Sequence, residues 1–476
     1  ILMQDNAEKH IQLLNEFQGK SRVKMMIGID GEWGLFQRFP AAHKFPWAMT
    51  LGAIQDNSLI YEMTSKIAED CKRMGIYWDF APVVDVNTNP ANPIIGNRSF
   101  GSDINNVIAK GLSYAQGLQD NGVLASMKHF PGHGDTDTDS HLDLPVVSHN
   151  LERLNAVELA PFKALLDKKI GGVMVAHLYV PALEKQSGIP ASVSYDIITN
   201  LLKKSYQYNG LIITDALNMN AVAKKFPAGE LDLRAFKAGN DIMLFSQDVP
   251  NGKALIKSAL EKGEISENRL AESVKKILKT KYLLGLQNLK SINSENINED
   301  LNNASHAELS EKLYSNAITL LKDEKNLLPL SCSETYYYLP LEEAPFQTFV
   351  ENLNLGTTVK LISKTEIAQI PENSTVIVGF HKDNSTAYKS YKISQESKDI
   401  LAELSKKQNV ILDVFGSPYA LKDIDITKIS TVLVSYENND LSMKASAKAL
   451  LGKTKISGKL PVIVNENLKA GSGIEK

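Results

Sequence analysis

Through the first half of the chain, short apolar, β-branched runs alternate with longer amphipathic stretches, and this alternation restricts the fold more than any other property of the sequence. VKMMIGID (23–30), IYWDFAPVVDV (76–86), VLASMKHF (123–130), IGGVMVAHL (170–178), GLIITDA (210–216) and NDIMLF (240–245) are apolar nearly throughout, the pattern of parallel strands covered on both faces. Between them, LERLNAVELAPFKALLDK (151–168) places Leu151, Leu154, Val157, Phe162 and Leu165 on one side of a helix, with a kink expected at Pro161. Parallel strands need a crossover, so the repeat leaves two architectures, a (β/α) barrel or an open doubly wound sheet. Five of the six runs end in polar or ionisable residues: Asp30, Asp85, Lys128 with His129, His177, and Asp215. Functional groups arriving at the carboxyl ends of many strands fit a TIM-type (β/α) barrel better than a sheet with one switch-point crevice. Six complete strands are counted, and the opening ILM reads as the stub of another, so the chain is expected to begin inside the barrel.

At 476 residues and 43% hydrophobic content the chain exceeds what one core usually serves. The stretch LQNLKSINSENINEDLNNASHAEL is rich in Asn, Ser and Glu, as an exposed linker would be. Beyond it ETYYYLPL, TVKLIS, STVIVGF, NVILDVFG and STVLVSYE again read as parallel strands with helices between. The expected division is a barrel over 1–285, a linker and the start of a connecting helix over 286–310, and a smaller α/β sandwich over 311–476.

Several classes of function are disfavoured. The cysteines, Cys71 and Cys332, lie far apart, which argues against a disulfide scaffold or a cysteine metal cluster. A net charge of −3 with interspersed signs gives no basic stripe for nucleic acid or a membrane surface, so the expected partner is small or neutral. No apolar run approaches the ~18 residues that span a bilayer, and ILMQDNAEKH lacks the regions of a signal peptide, so any export signal is expected upstream. Neither half carries G-x-G-x-x-G or a P-loop, and no cofactor is expected. Oligomeric state is left open. For the compartment, an extracytoplasmic setting, periplasmic or as a surface lipoprotein, is favoured over a cytoplasmic one.

Within this frame KHFPGHGDTDTDSH (128–141) packs three histidines and three aspartates into fourteen positions. Asp135, Asp137 and Asp139 alternate like the start of an EF-hand loop, but Ser140 stands at the required glycine and Val146 at the twelfth position. His129, His133 and His141 match no zinc-ligand spacing, so no metal is expected. Pro131, Gly132, His133, Gly134 and Asp135 are best read as shaping the loop. Asp139 and His141, two apart in an extended segment, face the same side, where the carboxylate can hold one imidazole nitrogen and leave the other to move a proton. Asp215, just past an apolar strand, is equally suited to attack an electrophilic carbon or to cap a helix.

KHFPGHGDTDTDSHLDLP closely resembles the signature of glycoside hydrolase family 3, in its β-N-acetylglucosaminidase branch. Further matches run in order: IGIDGEWG with QRF behind it, FAPVVDVNTNP, IGNRSFG, VMVAHLYVPALE, IPASVS and GLIITDALNMNAV. AITLLKDEKNLLPL, FGSPYAL and LLGKTKISGKLPVIV are similar to landmarks of the sandwich domain in two-domain members. The resemblance implies a first barrel strand before residue 1. It makes Asp215 the nucleophile and His141, supported by Asp139, the acid/base, with Asp30, Arg98, Lys128 and His129 holding the terminal sugar. Bland readings stay open: Arg98 could pair with Asp103 in a solvated loop, and His129 could be a satisfied histidine at a strand end. The chain departs from the family at Gly31 and Trp33, where glutamine and glycine are usual, and at Ala216, where a second aspartate is usual. The implied activity is a retaining β-N-acetylglucosaminidase that removes terminal β-linked N-acetylglucosamine from muropeptides or chitooligosaccharides, as in bacterial peptidoglycan turnover. An N-acetylglucosaminide phosphorylase, a non-catalytic sugar-binding module and a metal-dependent hydrolase are the alternatives.

Overall fold

The computed structural model describes residues 6–137, 143–386 and 389–476. They fall into two compact units, one of Ile1–Phe45, Ser58–Ser99 and Ile104–Asn303, the other of Pro46–Asn57, Phe100–Asp103 and Ala304–Lys476.

In the first unit β1 (Gly28–Ile29), β2 (Trp78–Asp79), β3 (Leu124–Phe130), β4 (Gly172–Val175) and β5 (Leu211–Thr214) form one sheet in chain order. Every neighbour is parallel, with Gly28 opposite Trp78, Trp78 opposite Leu124, and Gly172 opposite Leu211. Helices cross between successive strands, so this is the barrel-type sheet that the alternation predicts. Trp78, Phe80, Leu124, Met174, Leu211 and Ile213 fill its interior, each nearly or wholly out of water, a burial that contributes roughly 1.5–3 kcal/mol per large side chain. Trp78 donates its indole N–H to Ser126 Oγ at 2.8 Å, so the buried ring carries no orphaned donor. The helices Ser58–Arg73 and Ile104–Asp120 pack so closely that a Cβ on Gly117 would lie 1.9 Å from Thr64 Oγ1.

Three of the expected elements differ in detail. The run 76–86 pairs as a ladder only at Trp78–Asp79, because Pro82 has no N–H to give; beyond it the chain touches β3 through Val84 N–H to Lys128 O at 2.8 Å. The run 240–245 meets β5 at a single bridge, Ile213 to Ile242, since Thr214 Oγ1 takes the Leu244 N–H and Phe245 turns to φ +51°. Pro161 does more than kink its helix. The segment splits into Leu151–Ala156, capped by Asn150 accepting from Arg153 N, and Ala160–Leu166, with Pro161 in its first turn.

The second unit is built on β6 (Thr319–Asp323), β7 (Thr335–Leu341), β8 (Thr358–Leu361), β9 (Thr375–His381), β10 (Asn409–Phe415) and β11 (Thr431–Val434), in the order β6-β11-β10-β9-β7-β8. All pairs are parallel except β6 with β11. Its core includes Tyr338, Phe349, Ile377, Ile411, Phe415 and Leu433. Glu437, buried, accepts hydrogen bonds from Trp47 N at 2.8 Å, Thr50 Oγ1 at 2.7 Å and Tyr314 Oη at 3.1 Å, which ties 46–57 into this unit. Among the described residues no helix is long and apolar enough to cross a membrane.

Candidate active site

Because the five strands are parallel, the residues that follow them arrive at one end of the sheet, the carboxyl end. Asp30 follows β1, Asp85 lies beyond β2, Lys128 and His129 are in the last half of β3, His177 follows β4, and Asp215 follows β5 directly.

Lys128 is the hub. The residue is 1% exposed, and its ammonium lies 3.0 Å from Asp30 Oδ1 and 2.7 Å from Glu32 Oε1. Glu32 in turn receives Arg98 through two bonds, Nε to Oε2 at 2.8 Å and Nη2 to Oε1 at 2.7 Å, the bidentate geometry a guanidinium favours. Arg38 Nη2 closes the outer side of Asp30 at 2.7 Å. Burial alone would make these carboxyls hard to ionise. The neighbouring cations outweigh it, so Asp30 and Glu32 both lie below the usual carboxylate range, while the two carboxylates hold Lys128 above its ordinary value. Arg98 thus pairs with Glu32.

His129 is held from behind. Asp85, with no exposed surface, accepts from His129 Nδ1 at 2.7 Å and from the backbone N–H groups of His129 and His133, the latter at 2.6 Å. Burial opposes its charge, but His129 and these donors win, and the Asp85 carboxyl lies below its ordinary range. The other ring nitrogen, Nε2, then faces Arg98 Nη2 at 3.3 Å. His133 lies deeper, bonded to Thr136 Oγ1 at 2.7 Å; burial and then the neighbouring His129 lower its imidazole to about 4. The turn behind depends on its glycines: Gly132 has φ +127°, and a Cβ on Gly134 would lie 1.9 Å from Val86 O.

Asp215 is half-buried, its backbone N–H bonded to Val175 O at 2.8 Å and its Oδ1 accepting from Ala216 N at 2.7 Å. The next helix starts at Asn220 with Met219 as its cap residue, so Asp215 does not cap it. Burial again raises the cost of ionising it, yet His177, His129, the Ala216 N–H and Lys128 together hold the carboxyl below the usual range. His177 is buried between Ser192 Oγ at 2.7 Å and Ala216 O at 2.9 Å, which fixes the backbone beside Asp215.

Of the residues expected from sequence, Asp30, Arg98, Lys128 and His129 come together in one hydrogen-bonded set, and Asp215 lies within electrostatic reach of two of them. Asp139 and His141 lie outside the described residues. Sequence reasoning passed over Glu32, although its position two residues after Asp30 at a strand end was signal enough for a shared face. It noted Asp85 and His177 only as strand-end residues. Asp135, His149 and Glu158 offer ligand atoms within 4.8 Å of one another. Arg153 sits 3.0 Å from Glu158 and 3.6 Å from Asp135, and His149 2.5 Å from Asp135, so a guanidinium already supplies the counter-charge.

Residues 4–280 match the Glycosyl hydrolase family 3 N terminal domain. The chain belongs to glycoside hydrolase family 3. Beta-hexosaminidase A of Pseudoalteromonas piscicida is 30% identical to this family 3 enzyme, over 98% of this chain and 89% of that protein. Beta-hexosaminidase LpqI of Mycobacterium tuberculosis is 36% identical over 54% of this chain and 64% of its own length. Among solved structures, the family 3 beta-N-acetylglucosaminidase from Paenibacillus sp. str. FPU-7 aligns with a TM-score of 0.77 and 30% identity, covering 97% of this chain and 91% of that one. The beta-glucoside phosphorylase BglX aligns with a TM-score of 0.81 and 22% identity, covering 98% of this chain and 90% of that one, a likeness of fold. As a member of family 3, the protein is a glycoside hydrolase.

Proposed function

We propose that this family 3 hydrolase is a retaining β-N-acetylhexosaminidase that removes terminal β-linked N-acetylglucosamine from muropeptides or chitooligosaccharides. The observation that carries the reading is Asp215, a carboxylate at the end of β5 kept ionised by His177, His129 and Lys128. Beside it stand Asp30, Glu32, Arg98 and Lys128, whose donors and acceptors suit the hydroxyls and the N-acetyl group of one sugar. The names of the similar proteins, beta-hexosaminidase and beta-N-acetylglucosaminidase, point the same way.

In this reading Asp215 attacks the anomeric carbon while the His141 imidazolium, oriented by Asp139, gives its proton to the departing oxygen. The C1–O bond to the aglycone breaks and an ester to Asp215 forms. Water then gives a proton to the neutral His141 and its oxygen to C1, releasing the sugar with its original configuration and restoring both groups. Lys128 and Arg98 keep the Asp30 and Glu32 carboxylates charged and fixed, so sugar hydroxyls meet preorganised acceptors.

A slow fluorinated N-acetylglucosaminide, followed by mass spectrometry of the labelled peptide, tests this. A glycosyl ester on the peptide containing Asp215 supports it. An ester elsewhere, or turnover of the substrate with inversion, overturns it, and release of the 1-phosphate in phosphate buffer would favour a phosphorylase.

A further inference from the structure

A cavity of about 680 Å³ opens in the barrel unit at the opposite end of the strands from Asp30 and Asp215. Tyr208 and Asn209, which line it, immediately precede β5, and Lys276 on its wall donates to Gly210 O at 3.1 Å. Its walls come from the π-helix Asp196–Ser205, the helix Glu230–Ala238 and the first turns of the helix Glu267–Leu283.

The lining is cationic. Lys203, Lys204, Lys237, Arg269 and Lys276 face two carboxylates, Glu264 and Glu272. Glu264 is taken by Lys237 at 2.5 Å. Arg269 and Lys276 lean on Asp241, whose carboxylate is fully buried beneath them, at 3.7 and 3.4 Å. Among the described residues, Lys203 and Lys204 have no carboxylate within ion-pair distance. Lys204 bonds only to Asn200 Oδ1 at 3.1 Å and lies over the Tyr195 ring at 5.6 Å, and the half-buried Lys203 forms no hydrogen bond or ion pair among the described residues. Burial, with Arg269 and Lys276 alongside, lowers the Lys203 ammonium to about 8 despite the attraction of Asp241. A second hollow, lined by Lys275 and Lys279 together with Arg269 and Lys276, continues the same positive surface.

We propose that this cavity is a binding site for a phosphate dianion, either free or carried as a phosphomonoester on a sugar. Lys203 and Lys204 supply the charge that a dianion needs, and Lys237, Arg269 and Lys276 line the same cavity as further donors. The cavity falls within the volume range of small-molecule sites, roughly 300–1,000 Å³, and exceeds a bare phosphate. Tyr195, 52% exposed, offers a ring face for a sugar body beside the charged pocket. The site lies apart from the catalytic face, so the proposal goes beyond the glycosidase reading and does not depend on it.

Calorimetric titration of the full chain at low ionic strength, with inorganic phosphate, a hexose 6-phosphate and the unphosphorylated hexose as separate probes, decides it. A phosphorylated probe should bind saturably and the plain hexose should not. The double variant Lys203→Gln/Lys204→Gln should weaken that binding by at least about tenfold, the loss expected for one or two charge-assisted hydrogen bonds. Glu272→Gln, which removes a carboxylate whose negative charge opposes an anion there, should tighten it. Binding of inorganic phosphate as tightly as the hexose phosphate identifies the free ion as the occupant. The proposal is overturned if neither phosphate probe binds, or if the double variant binds as the wild type does, since phosphate would then sit elsewhere, the catalytic face included.

Discussion

Lys128 Nζ stands 2.7 Å from Glu32 Oε1, and both side chains are almost wholly withdrawn from water. Glu32 also carries the bidentate contact to Arg98, so one carboxylate is shared by two cations. Removing one member of such a set leaves an uncompensated buried charge, which costs about 3–5 kcal/mol. Glu32→Ala should therefore lower stability to urea by about that amount, and should raise KM more than Glu32→Gln, which keeps the shape. An alanine variant as stable as the wild type would show that Lys128 and Arg98 are satisfied without it.

Asp79 lies beneath this set, buried, with Oδ1 accepting from Gly31 N–H at 2.9 Å. Burial pushes its carboxyl up to about 7 from the ordinary 3.8, against the pull of Lys128. Between these two values the folded state holds a proton that the unfolded state has lost, so this group favours folding below about 4 and ceases to as pH rises through 7. Asp79→Asn keeps the acceptor and cannot titrate. The variant should gain stability relative to the wild type as pH goes from 4 to 8, measured by denaturant melts. A difference independent of pH would mean that Asp79 is ionised in the fold.

His133 gives the opposite slope. Its imidazole is lowered to about 4 from 6.5, so the unfolded chain takes up a proton between these values before the folded one does. Its contribution is complete above about 6.5 and is lost as pH falls toward 4. His133→Gln should flatten the wild-type decline over that interval in the same melts, and an unchanged acid limb would assign the decline to other groups.

On the proposed mechanism, Asp215→Asn should cut kcat by several orders of magnitude while leaving affinity for N-acetylglucosamine within a few-fold of wild type. A variant that keeps a tenth of its turnover would remove Asp215 from the covalent step.

Two glycine substitutions should diverge. Gly134→Ala would put a methyl 1.9 Å from Val86 O, a backbone atom that cannot step aside, and should destabilise by roughly 2 kcal/mol or more. Gly19→Ala, in the helix Ala7–Lys20 with nothing within 4 Å, should stabilise by up to about 1 kcal/mol. Thermal melts of the two variants report both signs.

Much of the architecture was legible because it is written in local patterns. Runs apolar on both faces specify buried parallel strands, and the polar residue ending each run already places Asp30, Lys128, His129 and Asp215 at one end of a sheet. The misses have local causes too. Pro161 splits a helix whose apolar spacing continues through it, and β6, an antiparallel edge strand, was read only as part of a family landmark. The motif match carried Asp139 and His141 as a dyad, and both lie outside the described residues.

The sequence by itself determined the order and kind of elements, since propensity, period and strand-end polarity are properties of neighbouring residues. Only the tertiary structure decided that Arg98 answers Glu32, that Asp85 stands behind His129, and that Lys203 and Lys204 face a cavity at the far end of the strands. These pairings join residues tens of positions apart, and what selects them is the cost of leaving a buried charge or hydrogen-bonding group without a partner, which appears only once folding has removed the water.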